Sequence, residues 1–397
     1  MEVKILDLTR QYRSIKKEIE KNVCAQMQSG QYIMGKAVAD FEKEFALYNS
    51  AKHAISVNSG TDALVIALRS AGIKTGDEVI TTPFTFFATA EAIAMVGAVP
   101  VFVDVYEDTY NMNVTKIEEK ITDKTKAILP VHIFGQPVDM DAINDIAERN
   151  NLVVIEDACQ AVGALYKGKK VGTLGKLGCF SFFPTKNLGA YGDGGMILTD
   201  DDELNIICRA MREHGAAQNG AKARFLLEDI EDELKGNIST DELYNPYKYY
   251  NYLIAYNSRL DAIQAVILNT KIKYLETFNN KRAEVARYYN KELSEIEDIV
   301  TPRVEEGNPV WHQYAICCSY KDELGDFLAS RSVGSAAFYP VPLHLQKAFS
   351  YLNYREGDLP IAESLSKRTV CLPIYPELMR EEQDYVIECI KEFYYQH

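Results

Sequence analysis

The 397-residue chain holds only six histidines and eight cysteines, with no C-x-x-C pair and only Cys317 and Cys318 adjacent. Spacing of that kind offers neither a zinc cluster nor a disulfide framework, and with the histidines dispersed no catalytic metal held by protein ligands is expected. Positive charge is also short: 43 Lys and Arg against 57 Asp and Glu leave a formal charge of -14 and a pI near 5.1. Binding to a phosphate backbone needs clustered cations that displace counterions, so nucleic acid is not an expected partner. No apolar run approaches the length of a bilayer span, and Met1 to Asp7 lack the basic start and apolar core of a signal peptide. The expected location is the cytoplasm, without membrane attachment. Internal repeats and low-complexity tracts are missing too.

What is present is the composition of a globular protein, 47% hydrophobic and 25% charged. A chain of this length exceeds what one hydrophobic core usually organises, so two domains are expected. From 50 to 200, short apolar runs alternate with amphipathic stretches: AISV (54–57), EVITT (78–82), PVFVDV (100–105), KAILPVHI (126–133), NLVVIEDA (151–158), CFSFF (179–183) and GMILT (195–199). Continuous apolar strands separated by helices predict a mostly parallel sheet covered on both faces, an α/β architecture. Helices are predicted at 37–49, 61–71, 86–96 and 139–150, and an opening helix over 13–29 carries Ile15, Ile19, Val23 and Met27 before Gly30. The segment 216–256 interrupts the pattern. It is acidic around 226–234 and tyrosine-rich from Tyr244 to Tyr256, and reads as a solvated surface insertion, the alternative being that its tyrosines line a ligand pocket because it leads directly into Asn257. The predicted division is a large domain over 1–256 and, over 257–397, an interdomain helix followed by a small α+β domain.

Chemistry concentrates in GCFSFFPTKNLGAYGDGG (178–195). Lys186 stands among Phe182, Phe183, Pro184 and Leu188, where burial penalises the ammonium form and favours a nucleophilic amine. Ligands of open parallel sheets sit beyond the carboxyl ends of the strands. After AISV, the run Asn58-Ser59-Gly60-Thr61-Asp62 opens a helix; it suits a phosphate, or it is a plain cap by Ser59 or Thr61. After EVITT comes Pro83-Phe84-Thr85-Phe86-Phe87, able to offer a ring to a flat cofactor or to pack in the core. After NLVVI comes Glu156-Asp157-Ala158-Cys159-Gln160, where Asp157 needs a cation: a salt-bridge partner or a protonated aromatic nitrogen. An amine, a phosphate cup, a carboxylate for a ring nitrogen and a stacking ring together are the requirements of pyridoxal 5′-phosphate.

Over nearly its full length the chain resembles the DegT/DnrJ/EryC1/StrS sugar aminotransferases, fold-type I pyridoxal phosphate enzymes. The matching segments are ILDL (5–8), GQYIMG (30–35), NSGTDAL (58–64), GDEVITTPFTFFAT (76–89), KTKAILPVHIFGQ (124–136), VVIEDACQAVGA (153–164), the lysine segment, NSRLDAIQAVIL (257–268) and YPVPLHLQ (339–346). The resemblance implies that Lys186 links covalently to the cofactor, Asp157 pairs with its ring nitrogen, Gln160 contacts its ring hydroxyl and Phe86 stacks on it. Gly60, Thr61 and Ser181 would hold the phosphate, joined by Asn257 from a neighbouring subunit, which makes the site a property of a homodimer.

The implied reaction is a two-stage transamination from L-glutamate to a nucleotide-linked keto sugar. Relatives that dehydrate sugars place a histidine where Lys186 stands, so the lysine favours amination. NSRLD, the lysine segment and YPVPL look most like enzymes of 3-keto sugars, including UDP-linked 3-keto uronic acids, with Arg259, Tyr339 and His344 toward the sugar and Gln346 near the nucleotide. Phe338 departs from the pattern, which often has a histidine or another polar residue there. The competing readings are a pyridoxal-dependent nucleotide-sugar dehydratase and a non-catalytic sensor member.

Overall fold

The seven apolar runs are strands, and alternation along each explains what covers them. Residues 1–230, 249–304 and 306–396 are described in a computed structural model. In chain order the large unit comprises α1 (Leu8–Ser29), α2 (Lys36–Asn49), β1 (His53–Val57), α3 (Gly60–Ser70), β2 (Glu78–Thr81), α4 (Ala88–Met95), β3 (Val99–Phe102), β4 (Thr125–Ile128), α5 (Met140–Asn150) and β5 (Val153–Asp157). It continues with β6 (Leu165–Tyr166), β7 (Lys169–Lys170), β8 (Leu177–Ser181), β9 (Gly195–Thr199), α6 (Asp202–Arg212), α7 (Ala217–Glu228) and α8 (Ala262–Lys271). The long α9 (Leu275–Leu293) leads to β10 (Tyr314–Cys317), α10 (Lys321–Ser330), α11 (Pro360–Arg368), β11 (Thr369–Leu372) and α12 (Arg380–Gln396).

The sheet runs β1-β9-β8-β5-β4-β2-β3, with β9 alone reversed against its neighbours. Because successive side chains point to opposite faces, Ile80, Ile128, Val154, Phe180 and Met196 meet α2, α5 and α8 on one side. Val79, Ala127, Ile155, Cys179 and Ile197 meet α3, α4 and α6 on the other. Both faces are therefore apolar, and β1, β8, β5, β4 and β2 all end at one edge.

Three expectations change. α1 starts at Leu8 rather than 13, because the Asp7 carboxylate accepts from the Thr9 N–H at 3.0 Å and caps the helix there. The predicted surface insertion begins with a packed helix: in α7, Ala221 and Ala223 are buried while Leu226 and Leu227 lie on the α3–α6 core. The rest of that stretch, 231–248, lies outside the described residues. The domain division is also less sharp than a cut at 257. Ala262, Ala265, Leu268 and Leu275 belong to the large core, whereas the small core joins Val285 to Leu293, β10, α10, β11 and α12 with Val3 from the chain's start. Val3 is tied there by bonds to Ser332 O at 2.9 Å and from Gly334 N–H at 2.7 Å. Among the described residues no helix is long and apolar enough to cross a membrane.

α8 carries a buried cation that braces the lysine loop. Lys271 is 1% exposed and its Nζ donates to Gly189 O at 2.5 Å. Burial, only partly opposed by Glu377 and reinforced by Arg282, lowers its pKa to about 8. The unfolded value is about 10.4. Below pH 8 both states hold the proton; between about 8 and that unfolded value the unfolded chain binds a proton that the native state has released, so this group's contribution rises with pH. Denaturant unfolding at pH 7 and pH 10 should show wild type gaining about 2 kcal/mol relative to Lys271→Met; a flat difference would refute the assignment.

Candidate active site

Two adjacent carboxylates at the end of β5 face opposite ways and do different things. Glu156 is fully buried and receives the N–H groups of Gly172, Leu174 and Gly175 at 2.6–2.7 Å, with His132 Nε2 at 2.9 Å. Those contacts fix the loop that leads into β8. Asp157 is 4% exposed and turns toward the strand-end cleft. Its Oδ2 accepts from Thr89 Oγ1 at 2.8 Å and its Oδ1 from the Cys159 N–H at 3.2 Å. No cation lies within ion-pair distance of it among the described residues. A buried carboxylate with two neutral donors and no counterion fits a ligand that brings a protonated ring nitrogen.

Lys186 approaches the same cleft from the loop after β8. Its backbone N–H donates to Phe183 O at 2.8 Å, and the loop is closed by Ala190 N–H on Phe182 O at 2.8 Å. The neighbouring Asn187 is buried and its Nδ2 donates to Asn279 Oδ1 and Val310 O, both at 2.8 Å. Desolvation lowers the lysine's pKa, with Cys159 and then Asp157 pulling the other way. The Cys159 thiol is held protonated, first by its own burial and then by Asp157.

α3 begins at the end of β1 and against the end of β8. Ser59 caps it through the Asp62 N–H at 3.0 Å, leaving Gly60 and Thr61 in the first turn, where N–H groups point off the helix end. A Cβ on Gly60 would lie 2.7 Å from Ser181 Cβ and 3.1 Å from Ser181 Oγ, so glycine is what lets the helix start meet that serine. A small, donor-rich cradle results, of the kind an anion occupies. Between 81 and 90 one side chain stands out of an otherwise enclosed run: Phe86 is 59% exposed, its ring centroid 6.5 Å from Tyr339. Amine, unpaired carboxylate, cradle and open ring together fit pyridoxal 5′-phosphate.

Other sequence-predicted residues are placed less simply. Gln160 uses its Oε1 on the Phe134 N–H at 2.8 Å and donates from Nε2 to Tyr339 Oη at 2.9 Å, leaving one amide hydrogen for a ligand. Asn257 is exposed and Arg259 half-buried, either side of Ser258, whose Oγ donates to Asp62 Oδ2 at 2.6 Å and accepts from the Asn58 N–H at 3.1 Å. Both therefore flank a residue tied to the start of α3. Tyr339 is half-buried, stacked on Phe134 at 6.3 Å and 12°, and burial raises its pKa. Gln346 is engaged locally, its Nε2 donating to Val341 O at 3.2 Å.

His344 is the correction. It is 2% exposed, its ring edge-on to that of Tyr354 with centroids 5.9 Å apart, and its Nε2 lies 3.0 Å from Glu363 Oε1. Glu363 also receives the N–H groups of Gly357 and Leu359, so the imidazole is enclosed in a structural tie to α11 instead of facing a sugar. Thr89, Phe134, Asn187 and His312 take part in the site without having been singled out. Phe134 has a φ of 55°, a position where sequence gives no glycine to mark the turn. The HIFGQ and VWHQY segments, each a lone histidine in apolar company, were the available signals.

The sequence profile of the DegT/DnrJ/EryC1/StrS aminotransferase family matches residues 13–391. The chain is 46% identical over 397 residues to a pleiotropic regulatory protein of Geobacillus stearothermophilus, covering 99% of each. It is 39% identical to the UDP-N-acetyl-3-dehydro-alpha-D-glucosamine 3-aminotransferase of Acidithiobacillus ferrooxidans, covering 96% of this chain and 95% of that protein. Among solved structures, Streptomyces venezuelae DesV in complex with a ketimine intermediate superposes with a TM-score of 0.90 at 36% identity, covering 99% and 98% of the two chains.

Proposed function

Because the chain belongs to the DegT/DnrJ/EryC1/StrS aminotransferase family and is a pyridoxal 5′-phosphate-dependent sugar aminotransferase, we propose that it moves the amino group of L-glutamate to a nucleotide-linked 3-keto sugar. The observation that carries the reading is the meeting of Lys186 and Asp157 in one cleft, close enough for the carboxylate to act on the amine's titration. When bound, the cofactor supplies an aldehyde that links to amines and a ring that draws electrons from the bond broken next to nitrogen.

The residues divide the remaining work. Gly60, Thr61 and Ser181 hold the phosphate through N–H and hydroxyl donors, with the helix start favouring its charge. Asp157 keeps a proton on the ring nitrogen, and Thr89 holds its carboxylate in aim. Phe86 covers one face of the ring and Gln160 offers its free amide hydrogen to the ring hydroxyl. Lys186 Nζ, once replaced by the incoming amine, would take the proton from the donor's α-carbon and deliver it to the carbon on the other side of the nitrogen. Its lowered pKa leaves more of the amine neutral and able to accept that proton.

Asn257 and Arg259 serve a second subunit's site in this reading, Asn257 at the phosphate and Arg259 at the sugar, and the working unit is a homodimer in the cytoplasm. Tyr339 borders the sugar. Relatives named for 3-amino and 3-keto sugars linked to dTDP or UDP support the 3-position.

The test is to incubate the holoenzyme and L-glutamate with UDP- and dTDP-linked 3-keto and 4-keto sugars, reading product mass and the position aminated by NMR. Amination of a 3-keto substrate is expected. Amination confined to 4-keto sugars would overturn the position. Loss of water without gain of nitrogen would favour a dehydratase, and failure of L-glutamate to bleach the visible band would overturn the donor.

A further inference from the structure

A phenol of the small unit reaches the site and takes hold of a side chain there. Tyr339 lies between α10 and α11, in a segment anchored to β11: the Ala336 N–H donates to Cys371 O at 3.2 Å and the Cys371 N–H to Ala336 O at 2.7 Å. Further on, the segment is anchored to the large unit, the Leu343 N–H donating to Pro83 O at 2.8 Å. Between these anchors the Tyr339 ring enters an aromatic cluster. It stacks on Phe134, meets Phe84 edge-on at 6.0 Å and lies 6.5 Å from Phe86. Phe84 is fully buried and Phe134 is 5% exposed, so packing fixes the ring and carries its hydroxyl to a set point.

At that point stands the Gln160 amide, whose orientation is dictated by what lies on its other side. A backbone N–H can only donate, so the contact with the Phe134 N–H at 2.8 Å is made by Oε1 and the amino group faces the phenol. Tyr339 Oη, at 2.9 Å from Nε2, is therefore an acceptor. Bonds at both ends fix the plane of the amide, and with it the direction of the second amide hydrogen. With Oη removed, only one end would be held, and the amide could turn about that bond. The backbone of Gln160 is held as well: a Cβ on Gly135, whose φ is 89°, would lie 3.0 Å from Gln160 O, so the loop after β4 closes down on it. Phe134 thus serves both partners, its N–H orienting the amide and its ring seating the phenol.

We propose that Tyr339 is a positioning residue for Gln160, its phenol oxygen holding the amide so that the second hydrogen meets the ring hydroxyl oxygen of the cofactor. The inference rests on the reading of Gln160 as the partner of that hydroxyl, and it gives Tyr339 a task toward the cofactor that a place beside the sugar does not require. The hydroxyl sits on the ring carbon beside the one that bears the aldehyde, so its oxygen, as an anion, attracts the proton on the lysine-linked nitrogen. A second donor on the same oxygen draws off part of that charge and weakens its hold on the proton. The aimed amide thereby lowers the pH at which the lysine-linked nitrogen loses its proton.

The experiment is a double-mutant cycle on the holoenzyme: Tyr339→Phe, Gln160→Met and the two together, read without donor or sugar as the pH midpoint of the visible band. Tyr339→Phe keeps the ring on Phe134 and removes only the oxygen. Each single variant should raise the midpoint, Gln160→Met by about one unit and Tyr339→Phe by about half a unit or more. In the double variant, Tyr339→Phe should add nothing to the shift that Gln160→Met has made. A midpoint unmoved or lowered in Tyr339→Phe, beside a raised one in Gln160→Met, would overturn the proposal; a kinetic effect confined to KM for the keto sugar would then leave Tyr339 as a sugar contact alone. A Tyr339→Phe shift of the same size with and without Gln160→Met would overturn it too, since the phenol would then act without the amide. If Gln160→Met itself leaves the midpoint in place, the reading of Gln160 at the ring hydroxyl falls and takes the proposal with it, a failure distinct from the other two. Should Gln160→Met not fold, Gln160→Asn, one methylene too short to reach the Phe134 N–H and Tyr339 Oη together, replaces it in the cycle, and the same outcomes decide.

Discussion

Lys186→Ala yields a folded protein that has lost the visible band of the lysine-linked cofactor and turns over at least about 10⁴-fold more slowly. The fold should survive because, among the described residues, the lysine's amine makes no hydrogen bond or ion pair that holds its loop. Its loop is held by others: Asn187 on Asn279 and Val310, Lys271 on Gly189, and the Tyr191 N–H on Gln264 Oε1 at 2.8 Å. The amine is in fact penalised where it stands, as the direction of its pKa shows, so removing it should leave stability unchanged within about 1 kcal/mol. Activity has no comparable substitute. Among the described residues Lys186 is the amine found beside Asp157 and Cys159, and Lys271 is committed to the Gly189 carbonyl. Thermal unfolding, the absorption spectrum and single-turnover transfer from L-glutamate measure the three parts. Turnover within tenfold of wild type would remove Lys186 from the chemistry altogether.

The parts of the molecule that could be read in advance are those whose signal is local. Strands buried on both faces announce themselves as unbroken apolar runs, and β1, β2, β5, β8 and β9 all begin within two residues of expectation. α7 did not, because its polar AQNGAKARF shows no apolar stripe and its burial comes from small alanines against α6. β11 is a four-residue strand whose existence depends on pairing with β10, Tyr314 against Leu372, a contact that no short window contains. The site divides in the same way. Lys186 and Asp157 stood out because an amine in apolar company and a carboxylate closing an apolar strand are costly unless used. Thr89 acts through a bond to a residue 68 positions away, a pairing that no short window contains. His344 misled for the converse reason: sequence places it near the sugar-side segment, but only packing reveals that Glu363 encloses it.

Asp157→Asn should fold normally and bind the cofactor, yet slow transfer by about 10²- to 10⁴-fold. Shape is conserved. Asparagine Oδ1 can still accept from the Cys159 N–H, and its amide can donate to Thr89 Oγ1, which then turns its own hydrogen toward Thr85 Oγ1 at 3.2 Å. What is removed is the negative charge, buried and without a protein counterion, that favours a proton on the ring nitrogen. The charge also acts on its neighbours: Asp157 raises the pKa of both Lys186 and Cys159. The variant's lysine should therefore lose its proton at lower pH, displacing the alkaline side of the absorption titration downward. Two origins for the slow transfer are thereby separable. Loading the variant with a pyridoxal phosphate analogue methylated at the ring nitrogen restores a permanent cation there without restoring the carboxylate. Recovery of most of the lost rate would assign the effect to that proton. If the methylated cofactor recovers nothing while the lysine titration is displaced, Asp157 acts on Lys186 and the ring-nitrogen role falls.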